Sequence, residues 1–249
     1  MGECRTSDLN SGESKQFAVL IDADNAQASV LESILNEISL MGDATVKRIY
    51  GDFTNPQSSC WKHLLQKNAI KPIQQFAYTT GKNATDSMLI IDAMDLLYTQ
   101  AFDGFCLVSS DSDFTGLAIR IREAGLEVIG FGEKKTPQAF RSACNKFITT
   151  EVYREERDSA AQPEQAGIRT EEESYSMLTE IIESFAEQEW VHLGQLGDIM
   201  NKRNPDFDAR NYGYRNLSAM LQSKQDTFEL VRGNNIGMSH NLPYVRLKS

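Results

Sequence analysis

Short apolar runs alternate with amphipathic helical patterns between residues 17 and 150, and this alternation constrains the fold more than any other feature. Between the runs, apolar residues recur every three or four positions, as amphipathic helices require. The predicted strands are 17–21, 45–50, 71–76, 104–109, 126–131 and a short one at 146–150, and the predicted helices are 29–41, 58–68, 86–99 and 115–124. This repetition predicts an α/β domain over residues 16–152, with a mostly parallel sheet flanked by helices.

A change of composition follows this domain. Residues 155–173 are rich in Glu, Gln, Ala and Arg and cannot bury enough apolar surface to order themselves, so we expect an acidic flexible linker over 153–172. Helical patterns then return at 175–185, 193–200 and 214–222, followed by a hairpin at 228–232 and 244–247. Helices followed by a two-stranded wing predict a small winged helix-turn-helix domain over residues 173–249.

The acidic charge of the chain is concentrated in one segment. The formal net charge is −10, yet residues 155–189 hold 2 basic and 11 acidic side chains, whereas residues 190–249 hold 8 basic and 5 acidic ones. The net charges of 1–154, 155–189 and 190–249 are therefore −4, −9 and +3. A mildly basic C-terminal segment is compatible with an RNA partner, while the total charge argues against a protein that coats polyanions nonspecifically.

The sequence indicates neither membrane insertion nor secretion. No apolar run approaches the roughly 18 residues that span a bilayer, and residues 1–15 lack the apolar core of a secretory signal. We therefore expect a cytoplasmic protein with no membrane association. The four cysteines are far apart and form no Cys-x-x-Cys pair, which favours free thiols.

Acidic and small polar residues follow two of the predicted strands. The first strand runs into Asp22, Asp24 and Asn25, and the fourth into Ser109, Ser110, Asp111, Ser112 and Asp113. Because parallel strands bring their carboxyl ends to one edge of the sheet, where ligands of α/β domains bind, we expect these side chains to lie together. A further acid, Asp86, opens the helix that follows Lys82 and contains Asp92.

Several carboxylates at one edge repel each other, by about 4 kcal/mol for a pair at ~4 Å in a medium of effective dielectric ~20. A divalent cation relieves this repulsion, and all-oxygen ligation suits Mg²⁺ or Mn²⁺. The three histidines are too scattered to build a nitrogen site. Such a metal could activate water against a phosphodiester, with Asn25, Ser110 and Ser112 orienting water or a phosphate oxygen. Any single aspartate, such as Asp113, could alternatively serve only as a helix cap.

Residues 20–25, 82–92 and 109–114 together resemble the NYN domain, a PIN-like nuclease family that includes LabA-like bacterial proteins. The resemblance spans about residues 16–152. It implies an endoribonuclease activity that depends on Mg²⁺ or Mn²⁺. It also implies catalytic and metal-binding roles for Asp22, Asp86, Asp111 and Asp113, with Asn25 as a catalytic polar partner. Asp24 and Asp92 are two further acids of the matching segments, and the resemblance implies a metal-binding role for them less directly.

The C-terminal segment resembles a LOTUS (OST-HTH) domain from about residue 173 onward. The residues that carry this likeness are Phe207, Asp208, Asn211, Tyr212, Gly213, Tyr214, Leu217, Leu221 and the strand 228–231. The resemblance implies RNA binding by a winged-helix fold, and protein partners of this domain and a homo-oligomer are further expectations. Phosphate contacts are predicted for Lys202, Arg203, Arg210, Arg215, Lys224 and Arg232, and for Lys82 in the first domain.

Other functions are compatible with parts of the sequence. A noncatalytic RNA-binding regulator would keep the fold and the acids without turnover. A haloacid-dehalogenase-like phosphatase would use Asp22 and Asp24 after the first strand, but Ala26 stands where that family has Thr or Val, and no acid lies between Lys134 and Glu151. A serine-histidine hydrolase is disfavoured because only His63 lies in the α/β domain, in the middle of a helix.

Overall fold

The computed structural model describes residues 14–54, 58–76, 84–99, 101–153, 170–185, 188–237 and 241–248. The predicted substrate contact Lys82 and most of the predicted linker lie outside these ranges. Among the helices that are described, none is long and apolar enough to cross a bilayer.

The first domain is an α/β domain, as predicted. Its strands are β1 Gln16–Asp22, β2 Asp43–Gly51, β3 Lys71–Gln74, β4 Gly104–Val108, β5 Glu127–Gly132 and β6 Lys146–Thr149. Its helices are α1 Leu31–Met41, α2 Ser59–Lys67, α3 Ala84–Thr99, α4 Thr115–Glu123 and α5 Gln138–Ala143. The six strands are parallel and lie in the order β3-β2-β1-β4-β5-β6.

Helices cover both faces of the sheet, which explains why its central strands are continuous apolar runs. Side chains alternate along β1: Phe17, Val19 and Ile21 pack with α1 and α2, whereas Ala18 and Leu20 pack with α3, α4 and α5. All five of these β1 side chains are fully buried. The sheet is therefore a rigid support for the loops at its carboxyl edge.

In the first domain the ends of several elements differ from the sequence prediction by one or two residues, and one helix is absent from that prediction. Strand β3 ends at Gln74, two residues early, and Phe76 is more than half exposed. Helix α5 was not predicted, because its six residues are too few to show a helical period. Its residues Phe140 and Ala143 complete the apolar cluster beneath α3 and α4.

The C-terminal domain combines three helices with a small antiparallel sheet. Its elements are α6 Glu171–Glu183, β7 Val191–His192, α7 Leu193–Arg203, α8 Leu217–Ser223, β8 Phe228–Arg232 and β9 Pro243–Leu247. The strand order is β7-β9-β8. Helix α6 begins four residues earlier than the apolar pattern predicts, because Thr170 and Glu173 form a capping box. Strand β7 was too short to predict, but it joins the predicted hairpin to give the winged-helix type of fold.

Candidate active site

The acidic residues gather where the order of strands reverses. The chain runs outward from β1 to β2 and β3 in one direction and from β4 to β5 and β6 in the other. In parallel sheets the loops on either side of this point diverge and leave a crevice. Asp22 ends β1 on one side of the crevice, and Ser109 follows β4 on the other.

Asp22 is the anchor of the site. Its carboxylate is fully buried and accepts hydrogen bonds from the side-chain nitrogen of Asn25 at 2.8 Å and the hydroxyl of Ser109 at 2.8 Å. The backbone nitrogens of Asp24 and Asn25 donate to it at 3.0 and 3.3 Å. Burial raises the pKa of the Asp22 carboxyl, and the bonds from Asn25 and Ser109 oppose that rise. Asp22 therefore joins the loop after β1 to the loop after β4.

A chain of hydrogen bonds continues from Asp22 into the second loop. The hydroxyl of Ser109, which donates to Asp22, accepts from the backbone nitrogen of Asp111 at 3.0 Å. The Asp111 carboxylate in turn accepts from the backbone nitrogen of Asp113 at 2.9 Å. The sequence places Ser109 at the same edge as the acids but assigns it no role in the site. The sequence signal for including Ser109 in the site is its hydroxyl, which directly follows a buried apolar strand.

Asp86 completes an acidic triad with Asp111 and Asp113. One carboxylate oxygen from each residue lies within 4.8 Å of the others. Asp86 enters from the first turn of α3, so the triad joins two separate elements. Burial raises the pKa of Asp86 to about 6, together with the negative charges of Asp22, Asp111, Asp113 and Asp24. The structure thus groups three of the four predicted metal-binding acids, while Asp22 lies beside them with its oxygens held by donors.

The predicted serines lie at the same edge with different surroundings. The hydroxyl of Ser110 accepts from the backbone nitrogen of Glu133 at 2.9 Å, which ties the loop after β4 to the loop after β5. The Glu133 side chain also accepts a very short hydrogen bond from Gln27, after β1. Ser112 is exposed, and its carbonyl accepts from the hydroxyl of Thr115 at 2.5 Å. Ser110 therefore holds loops in place, whereas the Ser112 hydroxyl faces solvent.

Asp92 makes contacts that hold α3 to the sheet. Its carboxylate accepts very short hydrogen bonds from the Arg48 guanidinium and the Tyr50 hydroxyl, both on β2. Burial, with the bond to Asp92, raises the pKa of Tyr50 well above its usual range. Asp92 thus fastens α3 to the sheet and is not one of the acids gathered around Asp86.

The predicted RNA contacts of the C-terminal domain divide into two kinds. Arg203 and Arg215 are exposed. Arg210, in contrast, forms a bidentate pair with Glu37 of α1 at 2.9 and 3.2 Å and also pairs with Asp208 at 2.7 Å. The geometry therefore argues against the predicted phosphate contact of Arg210. Sequence spacing could not reveal this, because Glu37 lies 173 residues away in the other domain.

The doubly wound sheet and the acidic crevice at its switch point define a PIN-like, nuclease-type α/β domain. The sequence matches the NYN domain over residues 16–151, and the chain belongs to the NYN domain family. Residues 172–239 match the OST-HTH/LOTUS domain, which is an RNA-binding module. The two resemblances predicted from the sequence are confirmed.

Two solved structures are similar to parts of the chain. A protein of unknown function from Vibrio parahaemolyticus is 18% identical, with a TM-score of 0.48 over 57% of this chain and 96% of its own. An uncharacterised protein from Nitrosomonas europaea is 28% identical, with a TM-score of 0.26 over 37% of this chain and 86% of its own. No curated protein matches the sequence.

Proposed function

We propose that the protein is a metal-dependent endoribonuclease that hydrolyses RNA phosphodiester bonds at the acidic crevice. The observation that carries this proposal is the triad of Asp86, Asp111 and Asp113, whose oxygens lie within 4.8 Å of one another in an NYN domain. The attached OST-HTH domain makes RNA the natural substrate.

The donor set fits Mg²⁺ or Mn²⁺. All three groups of the triad are carboxylates, and such hard oxygen donors suit these ions better than Zn²⁺. The raised pKa of Asp86 shows that its negative charge is held at a cost beside other acids, and a cation would offset that cost. When bound, the ion supplies positive charge for the phosphate and lowers the pKa of a coordinated water.

The other residues of the crevice orient the acids of the triad. Asp22 holds Asn25 and Ser109 by hydrogen bonds, and Ser109 positions the backbone of Asp111. Asp111 then fixes the start of the next turn by accepting from Asp113. These bonds position the loop that carries Asp111 and Asp113, two of the three acids of the triad, before substrate arrives, which is what electrostatic catalysis requires.

The proposal is tested by cleavage of labelled single-stranded and structured RNAs with Mn²⁺, Mg²⁺ or a chelator. We expect cutting with either metal, none with the chelator, and none in Asp111→Asn. The matched control is Asp95→Asn, which removes an exposed carboxylate from α3 outside the triad and should cut normally. Metal binding to the protein without RNA, measured by calorimetry, should be lost in Asp111→Asn and kept in Asp95→Asn.

Two outcomes would contradict this function. Full activity of Asp111→Asn would remove the triad from the reaction. Metal binding and RNA binding without any cutting would instead identify a noncatalytic RNA-binding protein, in which the acids hold a structural ion.

A further inference from the structure

We propose that the C-terminal domain is rigidly docked on the open edge of the parallel sheet, so that RNA bound to it reaches the acidic crevice at a fixed distance. The distance part of this proposal rests on the proposed ribonuclease function. The docking part rests on the interface alone, where the segment from Asn204 to Tyr212 meets α5, β6 and α1.

A buried ion pair lies at the centre of this interface. Arg141 of α5 donates to the carboxylate of Asp206 at 2.7 Å, and each side chain is 3% exposed. Two charges withdrawn from water this completely are tolerable only when they are paired. Since one charge belongs to each domain, any other placement of the domains that kept one charge buried without its partner would be costly. The pair therefore favours one relative placement of the two domains over others.

Backbone and side-chain hydrogen bonds cover the edge strand on either side of this ion pair. Strand β6 bonds to β5 on one side only within the sheet. On its other side, the backbone nitrogen of Phe147 donates to the carbonyl of Pro205 at 2.7 Å. Further along, the hydroxyl of Thr149 donates to the side-chain oxygen of Asn211 at 2.5 Å, and both residues are buried. The second domain thus pairs one backbone donor and one buried side chain of this edge strand.

The docking segment reaches the helices on both faces of the sheet. Asp206 contacts α5, which packs on one face, while Arg210 pairs with Glu37 of α1 on the other face. The Arg210 guanidinium also lies 5.7 Å from the centre of the Tyr153 ring. Contacts on two opposite layers prevent the domain from pivoting about the edge, which a single contact would allow.

The placement has a consequence for substrate. Thr149 is the last residue of β6, so the contact with Asn211 lies at the carboxyl edge of the sheet, where the triad also lies. Strand β6 is two strands from β4, which is roughly 10 Å at the usual strand spacing. Because a docked domain cannot change its distance from the triad, RNA bound to that domain should be cut within a narrow range of positions.

Docking is tested in the full chain by placing a site for a specific protease within residues 154–169 and cutting there. We expect the two halves to co-elute in gel filtration after the cut. Asp206→Leu or Arg141→Met should each weaken the association on the order of 100-fold or more, because one buried charge is left unpaired. Combining both substitutions should restore association above either single variant. The matched control is Lys67→Met, which breaks the exposed pair of Lys67 and Glu32.

Halves that separate in the unsubstituted protein would overturn the docking. So would single variants that behave like Lys67→Met. A double variant as weak as either single one would overturn the role of the ion pair, because general misfolding would then explain the loss.

The fixed distance is tested by tethering. A thiol-modified RNA is attached through Gln222→Cys, an exposed position on α8 that is not a predicted RNA contact, in a protein with Cys4→Ser and Cys60→Ser. Its cut positions are mapped after Mn²⁺ is added. We expect a narrow group of cuts that broadens when Asp206→Leu is added. An equally broad pattern in both proteins would refute the fixed distance, and no cutting in either would refute the ribonuclease function, whereas co-elution reports on docking in every case.

Discussion

Replacing Asp86 by Asn should stabilise the metal-free protein at neutral pH. The native carboxylate shares its surroundings with Asp22, Asp24, Asp111 and Asp113, and its pKa rises from 3.8 to about 6. At full strength this difference corresponds to about 3 kcal/mol. Asp86 is only half-buried, so solvent screening reduces the effect, and we expect a gain in the free energy of unfolding of about 1 kcal/mol in Asp86→Asn.

The contribution of Asp86 to the stability of the metal-free protein should fall as the pH rises. The unfolded chain releases the Asp86 proton near 3.8, whereas the folded protein keeps it up to about 6. The contribution of Asp86 to stability is therefore fully present below 3.8 and is lost as the pH rises through about 6. Asp86→Asn should remove this part of the pH dependence.

The assay is urea unfolding in chelator at pH values between 4 and 7, with Asp95→Asn as the control from the same helix. Adding Mn²⁺ should then stabilise the unsubstituted protein and the control but not Asp86→Asn, because binding to the folded state adds to its stability. An Asp86→Asn protein that is less stable than the control throughout this range would show that the neighbouring acids do not destabilise the Asp86 carboxylate. Equal stabilisation of all three proteins by Mn²⁺ would place the ion elsewhere.

Three further substitutions and one chemical modification test other parts of the structure. Asp22→Asn should lower the free energy of unfolding, measured by urea denaturation, by about 1–3 kcal/mol, because an amide cannot accept from all the donors that hold the buried carboxylate. Unchanged stability would show that those bonds contribute little. Arg210→Met should lower stability by about 1–2 kcal/mol without changing RNA affinity in a gel-shift assay, whereas Arg215→Ala should weaken affinity. A thiol reagent should modify exposed Cys60 and spare Cys144 in the native protein, because burial raises the pKa of the Cys144 thiol to about 12; equal rates would contradict its burial.

Much of the α/β fold could be predicted from local pattern. The strands that become β1, β4 and β5 were recognisable because a strand covered on both faces is a continuous apolar run. Polar residues directly after such runs indicated the carboxyl edge, so Asp22 and Asp111 could be placed there before the order of strands was known. Helix α5, with six residues, and strand β7, with two, carry too few side chains to show a helical or strand period.

The fine structure of the site depended on tertiary contacts. The sequence indicated four comparable acids, but only the folded chain separates Asp22, which is saturated by hydrogen bonds, from the triad around Asp86. Asp22 and Ser109 lie 87 residues apart, and no spacing rule relates them. Their contact exists because β1 and β4 are neighbours in the sheet.

By itself the sequence determined the two families, the layered α/β fold and the chemistry of its acidic edge, because these follow from local periodicity and from the kind of residue at each strand end. The relation between the two domains was decided only in three dimensions. Arg141, Asp206, Glu37 and Arg210 look like ordinary surface charges in the sequence, and they become an interface because folding brings α5, α1 and the turn after α7 to the same edge strand. Whether a charged residue meets RNA or a carboxylate depends on partners distant in sequence, and only the tertiary structure supplies them.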